Sequence, residues 1–385
     1  MAEHTKSGQR SVDALHFAGE RHEPLRPDEA ARRRPTLGTG ERPPELEALA
    51  RSRSIFVRSD TEPKVEVSRA EPEGERDLWR VDIPIERAQA AGAILGQTSI
   101  RRKPEEFLAE IDPDVDYRGY KPEWMDALPV PRVLPQPAAS PMVRLDGRRF
   151  VRPFQTTRFL PEERQVFQDA SYPWGTVAKV FTNTRPGGAG TGVLIGPRLV
   201  ATASHVVPRT SPWWMRIVPA YFDGSSLHGS GVQSFVSDTR SFDTGGDVVC
   251  GYDWAILRLY EPLGASLGFM GINGYDDDWE NKPLFSVVGY PRAINSQRPS
   301  FQTGVSVFDD DSDSNGGMEL ETRADMGPGN SGGPMFARWG TDHRAVGVVS
   351  GEEYDDALGG GEWGNVVAGG AGFGNLVRWG RTNWP

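Results

Sequence analysis

Glycine is spread so unevenly along this chain that the fold class of its later part is constrained by that distribution first. Of the 45 glycines in 385 residues, 36 lie after residue 165 and 9 before it. Glycine supplies the positive φ angles that tight turns need and weakens helix interiors, so the later part reads as many short strands joined by turns. Its clearest strand candidates are Thr191–Ile195, Leu284–Val288 and Arg344–Val349, short apolar runs with Gly or Pro nearby. The expectation is an all-β domain of many strands.

The first part has a different character. From Met1 to about Ala70 the chain is rich in Arg, Glu and Pro and short of aromatic residues, as in Arg32-Arg33-Arg34-Pro35 and Glu41-Arg42-Pro43-Pro44-Glu45. Such a segment buries too little apolar surface to offset its ordering entropy, so residues 1–75 are expected to form a largely disordered Pro/Arg/Glu-rich N-terminal extension. Over 76–158 apolar residues return, with a short helical candidate at Pro104–Ile111 and extended stretches such as Leu128–Pro135. This reads as a partly ordered arm, like a pro-region or linker, lying on another surface; residues 159–385 then form the β domain. The length prior allows two or three such units.

Charge and targeting signals narrow the partners. Basic residues interleave with acidic ones and the chain carries net charge −10, which favours a solvated segment over a nucleic-acid partner. The N-terminus, Met1–Lys6, opens no apolar signal-peptide core, and no run of about 18 apolar residues occurs, so neither signal-dependent secretion nor membrane spanning is supported. A cytoplasmic location is the default expectation, with non-standard secretion the alternative. Cys250 is the one cysteine, so no intrachain disulfide is possible; it reads as an ordinary thiol. The sequence does not specify an oligomeric state.

Three segments carry chemistry. In Gly329-Asn330-Ser331-Gly332-Gly333-Pro334 a serine sits in a glycine-rich bend, which exposes its hydroxyl and lets a substrate carbonyl approach. The N–H groups of Gly329 and Ser331 can then converge on a developing oxyanion, worth about 3–4 kcal/mol per donor in comparable sites. A serine is a weak nucleophile near neutrality and needs a base oriented by an acid. Thr202-Ala203-Ser204-His205-Val206-Val207 and Asp253-Trp254-Ala255-Ile256-Leu257-Arg258-Leu259 offer both. Taken singly, Ser331 suits a plain Gly turn, His205 a core histidine and Asp253 a structural cap; it is their joint, ordered appearance that favours acyl-transfer chemistry.

Together these segments resemble the trypsin-like serine proteases, most closely the bacterial glutamyl-endopeptidase (V8-like) branch, over about Phe159 to Pro385. Tyr172-Pro173-Trp174, Gly190-Thr191-Gly192-Val193-Leu194-Ile195 and Val288-Gly289-Tyr290-Pro291 agree with it. The resemblance implies two antiparallel six-stranded Greek-key barrels with the site between them. It implies a serine endopeptidase acting on protein or peptide substrates through an acyl-enzyme, with His205, Asp253 and Ser331 as the catalytic triad and Gly329 with Ser331 as the oxyanion hole. It brings no cofactor and no metal. A lone cysteine fits the V8-like branch, which dispenses with the disulfides of animal relatives. Two alternatives are a catalytically silent protease fold serving as a binding or scaffold module, and an HtrA-like quality-control protease, whose Pro-Gly-Asn-Ser-Gly-Gly-Pro motif matches residues 328–334. That second class normally carries a PDZ domain after the protease, and about fifty residues follow the serine here.

Specificity is divided in the sequence. Asp325 stands six residues before Ser331, where trypsin-type enzymes place a pocket-floor carboxylate, although V8-like relatives often keep an acid there for structural reasons. Ser350 belongs to Val349-Ser350-Gly351-Glu352 where many relatives read Val-Ser-Trp-Gly, and Val349 replaces the histidine of the glutamate-specific branch. Asp325 and Ser350 are therefore the candidate substrate-pocket residues, with a basic or mixed preference expected over glutamate. Asn330 replaces the aspartate that would pair with a freed N-terminal amine, so the N-terminal part is expected to cover the cleft or tether the enzyme, unless it is a passive tail. The start of a calcium loop at Asp311–Gly316 fails at its twelfth position, Thr322, with Glu321 one residue out of place; a hairpin tip is expected there, and plain surface at Asp276-Asp277-Asp278.

Overall fold

A computed structural model describes residues 21–51, 67–69, 79–81, 95–101, 110, 112, 116–135, 162–183, 190–242, 249–292, 298–355 and 362–385. Strands β1 (Val177–Thr182), β2 (Gly190–Gly196), β3 (Leu199–Thr202), β4 (Met215–Pro219), β5 (Ser234–Ser241) and β6 (Ala255–Leu259) form one ring. The ladder runs β6–β3–β2–β1–β4–β5 and closes through β5–β6, all antiparallel. The fourth strand returns beside the first, which is the Greek-key order. All seven residues of β2 are buried: one side fills the barrel and the other packs on neighbours, so an apolar run replaces strict alternation.

The second ring repeats this order. It uses β7 (Phe285–Gly289), β8 (Ser300–Val305), β9 (Val307–Ser312), β10 (Met318–Thr322), β11 (Pro334–Trp339), β12 (Asp342–Asp355) and β13 (Glu362–Gly369). Only Ser306 separates β8 from β9, so 300–312 acts as one bent strand, pairing with β7 at its start and β10 at its end. β10 then pairs β13, β13 pairs β12, β12 pairs β11 and β11 pairs β7. Short strands at the edges, Thr98–Arg101 on β5 and Gln165–Val166 on β8, lengthen the two sheets. The three strand candidates from the sequence fall in β2, β7 and β12.

A helix ties the rings together. In Ala371–Asn383, Gly380 lies so near Ile256 of β6 that a Cβ would come within 2.7 Å of its Cδ1. Trp254 is wholly buried beside it and donates from Nε1 to the carbonyls of Gly251 and Gly369 at 3.0 and 3.1 Å.

Part of the expected disordered extension is instead packed. Residues 27–31 form α1 and Pro44–Arg51 form α2, which starts with proline, carries Glu45 and Glu47 in its first turn and ends on Arg51. Leu46 is 1% exposed within the core cluster of the first barrel. Gly38 donates its N–H to Asp126 at 2.9 Å, Arg42 donates to the His228 carbonyl and stacks on Trp124, and Lys282 pairs with Glu23 at 2.7 Å. The few apolar residues of 21–51 find ready-made partners on the barrels, so the order of this stretch is set by tertiary contacts. The helical candidate at Pro104–Ile111 lies almost wholly outside the described residues. Residues 116–135 run along the barrels, with Leu128 N–H on the Tyr172 carbonyl at 3.0 Å and Leu134 N–H on that of Val166 at 2.9 Å.

Candidate active site

The register of β3 and β6 brings two of the three candidates together. Ala255 pairs with Thr202, so the residues just beyond these strand ends face each other, and Ser204 N–H donates to the Asp253 carbonyl at 3.2 Å. His205 sits in a single 3₁₀ turn after β3. Its N–H donates to Asp253 Oδ1 at 3.0 Å and its Nδ1 lies 2.6 Å from Asp253 Oδ2. Ser350 on β12 donates its hydroxyl to the same Oδ2 at 2.7 Å. The His205 and Asp253 side chains are 2% and 1% exposed; a carboxylate this deep needs hydrogen-bond partners. The Asp253 carboxylate thus holds the imidazole at Nδ1.

Ser331 comes from the second barrel, in the turn between β10 and β11. Gly329 and Gly332 flank it at φ +106° and +81°, values that side chains rarely adopt. A Cβ on Gly332 would lie 2.1 Å from Thr202 Oγ1 and 2.3 Å from the Thr191 carbonyl oxygen. The turn is pinned to the first barrel by Thr191, whose N–H donates to the Ser331 carbonyl at 2.8 Å and whose Oγ1 donates to that of Gly329 at 2.7 Å. Asn330 is buried and accepts the Gly327 N–H on Oδ1 at 3.2 Å, so it closes the turn internally. Among the described residues, neither the Gly329 nor the Ser331 N–H is spent on a backbone acceptor.

A family model described as the trypsin-like peptidase domain matches residues 190–348, a span that holds His205, Asp253 and Ser331. The chain is 25% identical over 181 residues to the glutamyl endopeptidase of Bacillus licheniformis, covering 46% of this chain and 52% of that protein; it thus spans about half the length of that relative. A solved glutamyl endopeptidase bound to MPD has TM-score 0.46 at 19% identity, over 59% of this chain and all of that one. The thermostable serine protease AL20, from an extremophilic microorganism, has TM-score 0.41 at 20% identity, over 55% of this chain and 98% of its own.

The structure puts the two pocket candidates elsewhere than on an open wall. Ser350 is wholly buried on Asp253. Asp325 is 1% exposed and accepts the Glu163 N–H on Oδ2 at 2.8 Å, so one carboxylate oxygen anchors the segment that leads into the barrels. Cys250 is buried, and burial together with the nearby Asp253 charge pushes its thiol up to about 12. At the β9–β10 hairpin tip Asp313 accepts the N–H of Gly251 at 3.0 Å. Asp276 and Asp278 meet His22 Nε2 at 3.4 and 3.8 Å, a surface grouping that the sequence had no means to bring together. Thr191 was missed as a site residue; its place between two glycines in a strand was the available signal.

Proposed function

We propose that this chain is a serine endopeptidase working through an acyl-enzyme. The observation that carries the reading is the Asp253 carboxylate, which takes hydrogen bonds from His205 and Ser350 at the strand end whose Thr202 and Ala203 lie against Gly332 of the Ser331 turn. In this reading His205 takes the proton of Ser331 as its oxygen bonds to the scissile carbonyl carbon. The oxyanion is held by the N–H groups of Gly329 and Ser331. The protonated imidazole then passes its proton to the departing amine as the C–N bond breaks, and water repeats the sequence to free the acid. Asp253 stabilises the imidazolium without taking its proton.

A peptide substrate suits the sheet edge. β12 pairs with β11 only as far as Val348, while β13 continues along it to Asp355. Among the described residues β11 does not follow β12 past Val348, and in this reading an extended chain adds a strand there. We assign a basic or mixed primary preference, as the sequence suggested; Asp325, buried and holding the Glu163 N–H, is not an open pocket floor. A fluorophosphonate probe tests the reading: it should label the protein covalently at Ser331 and leave Ser331→Ala unlabelled. A folded wild-type protein that takes no label would be a silent binding module instead.

A further inference from the structure

Lys179 on β1 is 2% exposed, yet among the described residues its Nζ meets no hydrogen-bond acceptor. Three rings surround it, with centroids 5.1 Å away for Tyr221, 5.6 Å for Phe181 and 5.7 Å for Tyr290. Tyr221 packs edge-on to the other two at 5.4 and 6.1 Å. Aromatic faces attract a cation, but a desolvated lysine with no carboxylate is costly, and an apolar side chain of similar length would fill this space without that cost. Stability alone gives no reason for a lysine here.

Tyr290 connects this cage to the site. It follows β7 in the second barrel, whereas Lys179, Phe181 and Tyr221 belong to the first. Its N–H donates to Thr191 Oγ1 at 3.0 Å, and its hydroxyl meets the Tyr221 backbone. Its carbonyl oxygen lies against Gly329, where a Cβ would come within 2.3 Å. Lys179 is paired with Thr191 across β1 and β2, and directly opposite residues share one face of the sheet. The next link is Arg292, whose N–H donates to the Pro328 carbonyl at 2.8 Å.

We propose that Lys179 is a positioning residue for the oxyanion turn: its ammonium, held over Tyr290, keeps the Tyr290 carbonyl packed against Gly329 and sets a buried positive charge on that side of the two N–H donors. This rests on the serine-peptidase reading above. The charged and titratable groups around it are Arg292 beyond β7, the phenols of Tyr221 and Tyr290, and Arg216 of β4, which stacks on Phe181 at 4.5 Å. Asp223 acts on the Tyr221 phenol, and among the described residues no carboxylate pairs with Lys179. Burial, aided by Arg292, pushes the Lys179 amine down to about 8, while burial pushes both phenols up. The amine is therefore the group of this set that changes charge just above neutrality.

The test is kcat and KM for a small peptide ester from pH 6 to 10 in wild type, Lys179→Arg and Lys179→Met, with thermal midpoints and fluorophosphonate labelling rates beside them. Wild-type kcat should fall above about pH 8, the value to which the amine is lowered. Lys179→Arg should keep most of the neutral-pH kcat and lose that fall, because arginine does not titrate there. Lys179→Met should lower kcat about tenfold at pH 7 with KM little changed, the mark of an interaction used in the transition state. Its labelling of Ser331 should slow in proportion, while its thermal midpoint should be no lower than wild type. A Lys179→Met enzyme with wild-type kcat and an unchanged alkaline limb overturns the proposal, as does equal impairment of both variants with lowered midpoints, the pattern of simple packing. Wild-type protein that takes no label at all sinks the peptidase reading and this proposal together; labelling that Lys179→Met matches sinks this one alone.

Discussion

Ser350 donates its hydroxyl to Asp253 Oδ2 at 2.7 Å across 97 positions of sequence and from the other barrel. The same oxygen lies 2.6 Å from His205 Nδ1. The acid is thus oriented by both barrels, and a change in their packing would reach the imidazole through one hydrogen bond. Replacing Ser350 by alanine should lower kcat about tenfold through a loosened Asp253. The lost hydrogen bond to a charged group should also cost about 1.5–3 kcal/mol of stability, read by chemical denaturation. Unchanged kcat would show that Asp253 needs no help from β12.

Ser331→Ala and His205→Ala should each reduce peptide-ester turnover by a factor on the order of 10⁴–10⁶, and the double variant should be little worse than either, since groups acting as one unit are non-additive. The assay is steady-state turnover on purified variants with matched far-UV spectra. Independent, multiplying losses would separate the two residues.

Gly332→Ala is expected to damage the fold as well as the site. At φ +81°, with a Cβ that would meet Thr202 Oγ1 and the Thr191 carbonyl at 2.1 and 2.3 Å, the turn must shift to admit a methyl. A loss of about 2–4 kcal/mol is expected in urea unfolding. Gly340 is the control: its φ of +61° strains a side chain, but nothing lies within 4 Å, so alanine there should cost only about 1 kcal/mol.

Acid should unfold this protein through buried histidines. Burial, reinforced by Arg42 for His228 and by Arg338 for His343, pushes both imidazoles down to about 3. Between about 3 and the ordinary value of 6.5 the unfolded chain binds protons that the folded one refuses. Their contribution is therefore full above pH 6.5 and lost as the pH falls toward 3. In unfolding free energies measured against pH, His228→Gln should flatten the slope in that window by about 1.4 kcal/mol per pH unit, the equivalent of one proton. An unaltered slope would place His228 outside the linkage.

Leu46→Ala should cost about 2–5 kcal/mol, because a fully buried leucine leaves a cavity, and a chain lacking residues 1–51 should show a lower thermal midpoint. Among the described residues, the contacts of 21–51 include Trp124, Asp126, His228, Lys282 and Trp339, contacts that suit a structural tether. Small-ester turnover per folded molecule should be the same with and without it. A marked rise on truncation would restore the covering arm.

What the sequence determined by itself was local: glycine and short apolar runs marking the strands, and a serine between flexible residues, a histidine after a strand and an aspartate before one. Each of these is legible because turn geometry and strand burial depend on a few neighbouring residues. Tertiary structure alone decided the rest. It alone put Ser350 on Asp253, turned Asp325 toward Glu163, docked residues 21–51 onto the barrels and enclosed Lys179 in rings from both of them. The physical reason is common to all four. Hydrogen bonds and burial between residues tens to hundreds of positions apart depend on strand register and barrel packing, and composition carries no record of either.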